Sequence, residues 1–229
     1  MVPFYLGAYW GSRRESSLRC GERLARCTTM LGQIDGALGS WYRRAASKAA
    51  AKTPVGRDAE SFARLLAQGR NRRDDDGEVI EELGFSFGLW NRAKPAVGMS
   101  GTVGAHPAFP GVLNSFVLDF PPPGDDAGCL YDPAVAEGIF GAVIESWEPE
   151  WATWTSPSLR DVQGVAPREP VVGWMTYLSS PVGAGLPGGS SLLGGSAIRV
   201  GREVTDVDDR AVGETRARLV KVGALKPIP

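Results

Sequence analysis

His106 is the one histidine of the chain, so a Ser-His-Asp or Cys-His mechanism would have to run through it. It stands in the turn-like run Ala-His-Pro, and no G-x-S-x-G elbow presents a serine nucleophile to it. A structural or exposed role is expected. Metal chemistry needs several ligands at helical or turn spacing, yet the sequence holds no C-x-x-C, no H-E-x-x-H and no EF-hand loop. Asp74, Asp75 and Asp76 could attract a cation, but beside Arg72 and Arg73 they read as a self-neutralised surface loop. GAGLPG at 183–188 matches G-x-G-x-x-G formally; it contains Pro187, runs into further glycines and opens no helix that could take a pyrophosphate. Acid pairs such as Glu81/Glu82 and Glu148/Glu150 have nothing to bring them into a cleft. No Glu-x-Lys occurs, which argues against a nuclease of the Asp…Glu-x-Lys kind. We expect no catalytic residue, no metal ligand and no cofactor.

The remaining residues must therefore be read for what they build. With 229 residues, 43% of them apolar, the chain can bury a substantial core without staples. Lys plus Arg (25) nearly cancels Asp plus Glu (26), so no overall field calls for nucleic acid or an anionic membrane. No stretch approaches the ~20 apolar residues of a membrane span, and the opening MVPFYLGAYWG reads as a buried strand instead of a leader. Cys20 and Cys27 sit seven apart on one helix, about 10 Å along its axis, too far for a disulfide; with Cys129 they fit reduced thiols in the cytoplasm.

Apolar periodicity places the elements. Residues 2–10 form an interior strand with Val2, Phe4, Leu6 and Ala8 on one face and Tyr5, Gly7 and Tyr9 on the other. The S-x-x-E spacing of Ser12 and Glu15 then suggests a capping box for a helix from 13 to 34, striped by Cys20, Leu24, Cys27, Leu31 and Ile34. Asp58 can cap a short helix carrying Phe62, Leu65 and Leu66. RNRRDDDGE at 70–78 is a charged exposed loop, followed by a helical turn at 78–83. Strands follow at 83–91, where Phe85, Phe87 and Leu89 alternate with small residues, at 97–104 and at 112–120. Asp132-Pro133 starts a helix that stops at Glu148-Pro149. Further strands are expected at 151–155, 171–178 and 197–202, with a mobile Gly-rich loop at 180–196. A helix at 206–222 closes the chain, with Val212, Leu219 and Val222 inward. The expectation is a single α+β domain over 1–229: a largely antiparallel sheet of about six strands with packed helices.

Seven tryptophans cluster at element ends. Most should be core, since each buries a large area, but Trp10, Trp90 and Trp174 are candidates for a protein interface.

The segments GAYWGSRRES (7–16), GRNRRDDDGEVIEELGFSFGLWN (69–91), SWEPEWATWTS (146–156) with Arg160-Asp161, VVGWMTYLS (171–179) and the tail from Ala197 resemble the immunity protein 52 family of bacterial polymorphic toxin systems. The resemblance implies an antidote whose partner is a protein toxin encoded by a neighbouring gene, often with a restriction-endonuclease-like nuclease domain, and brings no catalytic residues with it; with the missing catalytic set and the reduced thiols, the expectation is a cytoplasmic protein that is not an enzyme. If that toxin has a basic groove, Asp74, Asp75, Asp76, Glu78 and Glu81 could mimic phosphates; the same segment reads equally as a packed helix whose acids only face solvent. The alternatives are an enzyme of unknown class, perhaps one that modifies the toxin, and a structural component of a toxin secretion system.

Overall fold

The computed structural model describes residues 2–47, 50, 52–109 and 111–228. Its frame is one antiparallel sheet of nine strands: β1 (Tyr5–Trp10), β2 (Tyr42–Arg43), β3 (Phe85–Trp90), β4 (Gly98–Val103), β5 (Asn114–Asp119), β6 (Trp151–Thr155), β7 (Met175–Leu178), β8 (Gly189–Leu192) and β9 (Gly195–Arg199). They are ordered β2-β3-β4-β5-β1-β6-β7-β9-β8, so the N-terminal strand lies at the centre, paired with β5 on one side and β6 on the other.

Period-two alternation decides which face each side chain takes. Leu6, Ala8 and Trp10 share a face with Phe116 and Leu118, Phe85, Phe87 and Leu89, and Ala152 and Trp154, as the strand registers require. Helices cover this face. α1 (Ser17–Ile34) lies between α2 (Ala59–Gln68) and α3 (Pro133–Trp147), with α2 against β3 and α3 against β1. Trp147 of α3 stacks on Trp10 at 5.4 Å and on Phe116 at 5.3 Å, which ties helix and sheet through flat aromatic contact.

The opposite face is covered over only part of its width. The stretch after the short α4 (Pro157–Asp161) crosses β6, where Gly173 leaves no room for a Cβ beside Thr153 and Thr155. α5 (Asp209–Lys221) and the tail hold this stretch: Arg216 donates to the Pro170 carbonyl, and the Ile228 N–H to that of Arg168. Over β3, β4, β5 and β1 the same face presents Ser86, Gly88, Ser100, Thr102, Ser115, Val117, Tyr5 and Tyr9, all half-buried apart from the enclosed Gly7 between the two tyrosines.

Several expectations need correction. The sheet has nine strands, not about six, because β2 and β8 are too short or too polar to carry an apolar period. The Gly-rich stretch at 180–196 is built: a 3-10 turn (Pro181–Gly185) leads into β8, which pairs with β9. α1 begins at Ser17, not 13. Its cap is Ser16, whose Oγ accepts from the Arg19 N–H, while residues 12–15 form no regular element. β7 covers only the end of the strand expected over 171–178. Val222 lies exposed just beyond α5.

Candidate protein-docking surface

Gly69 and Gly84 fix where the acidic segment leaves the body. A Cβ on Gly69 would fall 1.8 Å from the Ser86 carbonyl oxygen. Gly84 has φ +65° and would place a Cβ 2.3 Å from the Val103 oxygen. Between them residues 70–82 run out and back as an irregular hairpin, bridged at Arg70–Phe85 and Arg72–Val79. Arg70 lies over the Phe85 ring, 5.8 Å from its centre, and the other two cations are engaged within the hairpin. Arg72 donates to the Gly77 carbonyl at 2.9 Å, and Arg73 lies 3.9 Å from Asp76 and 3.8 Å from Glu78. Asp74, Asp75, Asp76, Glu78 and Glu81 are all exposed on this one projection.

Trp90 is not part of it. It stands at the far end of β3, five residues from Phe85 or about 17 Å at strand rise, half-buried on the open sheet face. Trp10 and Trp174 are interior. Trp10 is 2% exposed, between Trp147 and the Arg13 guanidinium 4.7 Å from its ring; Trp174 is fully buried against Trp154, its Nε1 donating to Gly201. Both therefore take the core role weighed for them and offer no surface to a partner.

The other chemical candidates find local partners. His106 Nδ1 lies 3.1 Å from the Gly104 carbonyl, and its ring faces a small cleft shared with Arg14, Arg70 and Glu81; no serine or cysteine is hydrogen-bonded to it among the described residues. Cys20 and Cys27 are buried free thiols, both pushed up by burial to about 12, while Cys129 is exposed. GAGLPG runs through the 3-10 turn into β8 and precedes no helix. Among the described residues no group of three or more His, Cys, Asp or Glu could hold a metal ion, and no helix is long and apolar enough to cross a membrane.

Two constructions were invisible to spacing arguments. The first is a clamp on the end of α3: Arg13 donates to the Trp147 carbonyl at 2.9 Å and Arg23 to that of Ser146 at 2.9 Å, and both face Glu15. Arg23 also pairs with Glu148, whose carboxyl it holds below the usual range through that hydrogen bond. The second is an aromatic cleft of about 440 Å³ at the border of the open face, lined by Tyr5, Tyr9, Leu113, Trp151 and Arg160. Tyr9 stacks on Trp151 at 4.3 Å, and burial pushes both tyrosine hydroxyls up. The alternation of Tyr5, Gly7 and Tyr9 was the available signal, masked because a central strand is expected to be covered on both faces.

No curated protein matches the chain in sequence. Among solved structures it is similar to the Pseudomonas aeruginosa T6SS protein PA0821, with a TM-score of 0.57 at 13% identity over 97% of this chain and 76% of that one. That likeness speaks for the fold. A sequence model described as immunity protein 52 matches residues 3–193, which include the Arg13/Glu15/Arg23 clamp, the acidic hairpin and the aromatic cleft, and the chain belongs to the immunity protein 52 family.

Proposed function

We propose that this chain is an antidote which holds a protein toxin, the product of a neighbouring gene, in a tight stoichiometric complex and has no turnover of its own. Membership of an immunity-protein family supports the role. The observation that carries the mode of binding is the projecting hairpin, where six carboxylates stand against three guanidiniums between residues 70 and 82. Arg72 and Arg73 are engaged within it and Arg70 lies over the Phe85 ring at its base, so the acids at its tip present the local excess of negative charge outward.

The toxin class that fits is a nuclease of the restriction-endonuclease-like kind. A groove built to grip phosphates is basic, and carboxylates placed over it would occupy the phosphate positions and speed encounter. Trp90 is held as a second contact on the open sheet face, separate from the hairpin. The cytoplasm is the compartment proposed, in keeping with three unpaired cysteines.

Titration of purified toxin with this chain tests the reading. An antidote abolishes activity at an equimolar ratio with no recovery on dilution into fresh substrate. An enzyme that modifies the toxin would protect at a small fraction of that ratio, and a secretion-system component would not protect at all.

A further inference from the structure

From Gly36 to Arg57 the sequence holds five arginines and lysines and no acid, and from Leu83 to Leu118 it holds Arg92 and Lys94 and again no acid. β2 and β3 bring these stretches together at one edge of the sheet, at the end of β3 away from the acidic hairpin. Arg44, Arg92 and Lys94 are exposed there, and none of them is in an ion pair among the described residues.

Two of these side chains are held on the open sheet face. The Arg44 stem lies along Gly88, where a Cβ would come 3.3 Å from its Cδ. Arg92 has φ +53°, a region that suits glycine or asparagine and that arginine enters under constraint. The constraint is buried Asn91. Its Nδ2 donates to the Ala37 and Pro95 carbonyls at 3.1 and 2.9 Å, and its Oδ1 accepts from the Val97 N–H at 2.9 Å. This loop sets the Arg92 guanidinium 5.0 Å from the centre of the Tyr42 ring, a contact that fixes the cation and uses none of its N–H donors. Tyr42 stands opposite Trp90 in the strand register. Backbone strain is thus kept to aim a charge that no described carboxylate pairs with, and such a cation is ready for an outside anion.

We infer that this end of the open face docks an acidic segment of the toxin, with carboxylates on Arg44 and Arg92 and the segment's chain against Tyr42; the inference rests on the antidote reading and supplies the chemistry of its second contact. Asp119 favours a peptide over a nucleic acid. It stands exposed on the same face, in register with Gly98 and through it with Trp90, where phosphates following the sheet would meet it. The partner's surface is then bipolar, basic at the hairpin and acidic about 17 Å further along β3, and that pairing fixes the orientation of the complex.

Fluorescence anisotropy of a labelled deca-glutamate peptide and of a labelled thymidine decamer, each titrated at low salt with the full chain, tests the site beside the affinity for purified toxin. The wild type should bind the peptide more tightly than the oligonucleotide. Arg44→Ser/Arg92→Asn should keep the melting temperature, because asparagine suits the backbone at 92, and yet weaken peptide and toxin binding by about tenfold or more. Arg202→Ser/Arg210→Ser removes the same charge from exposed positions before and within α5, and should change neither. A peptide that the wild type does not bind, or that the Arg44/Arg92 variant binds as well, overturns the inference, as does an oligonucleotide bound more tightly through the same arginines. Toxin held equally by the wild type and by Arg44→Ser/Arg92→Asn leaves the antidote in place and overturns this docking site. Toxin that does not bind even the wild type sinks the antidote reading and the inference with it.

Discussion

Arg13, Glu15 and Arg23 show why single residues here are worth more for position than for reactivity. The side chains of Glu15 and Arg23 are 9% and 11% exposed; Arg13 and Arg23 donate to carbonyls that the end of α3 leaves unpaired, and Glu15 pairs with both guanidiniums. Removing Arg23 strips a buried carboxylate of its closest partner, so Arg23→Ala should cost about 2 to 3 kcal/mol in urea unfolding. Arg19→Ala breaks an ion pair whose partners are 58% and 47% exposed, and should cost about 0.5 kcal/mol or less. Equal costs for the two would show that the clamp is ornamental. The thiols give a pH dependence. In the unfolded chain Cys20 and Cys27 ionise near their ordinary 9.0, whereas in the fold both wait until about 12. The native state therefore binds more protons in that window, and stability falls as pH rises from 9 towards 12. A Cys20→Ala/Cys27→Ala variant should show a shallower alkaline decline in melting temperature; an unchanged slope would contradict the assignment. Such roles were not legible from residue type. Ser12 and Glu15 match a capping box in sequence, but tertiary partners claim Glu15 and the helix starts later.

At the scale of elements, what the sequence revealed tracks apolar period. β3, β4 and β5 follow the alternation of Phe85, Phe87 and Leu89, of Met99 and Val103, and of Phe116 and Leu118, while α2 was legible from Asp58, Phe62, Leu65 and Leu66. β8 was not, because Gly-Ser-Ser-Leu has no apolar rhythm and its pairing is supplied by β9 and the turn. The acidic hairpin was readable as an exposed charged loop, but its direction depends on two glycines whose neighbours are known only from the fold. Gly84→Ala combines a positive φ with a backbone clash and should destabilise by about 2 kcal/mol or more. Exchanging Asp74, Asp75 and Asp76 for Ser, by contrast, removes charge from an exposed tip and should change unfolding free energy by less than about 0.5 kcal/mol. Comparing melting curves of the two variants checks both expectations, and a large loss from the serine exchange would mean that the hairpin belongs to the structural frame.

For the whole molecule, the sheet separates two surfaces: one sealed by α1, α2 and α3, the other open over β3 to β1 and flanked by the aromatic cleft and the acidic projection. Rigid backing of that kind suits tight binding, since little needs to be ordered on association. The sequence shows no evident catalytic set, and the chain belongs to a family of immunity proteins. Charge steering then predicts that association with a basic toxin slows as salt rises, within the ~8 to 10 Å screening length of moderate ionic strength. The measurement that bears most directly on the proposed function is the association rate and affinity of this chain for its proposed toxin partner, with the wild type and with Asp74→Lys/Asp75→Lys/Asp76→Lys, at low and high salt. The account predicts a tight equimolar complex, an association rate reduced roughly tenfold or more by the reversal at low salt, and convergence of the two proteins at high salt. Tight binding that ignores the reversal would move the interface off the hairpin, and no binding at all would contradict the antidote reading.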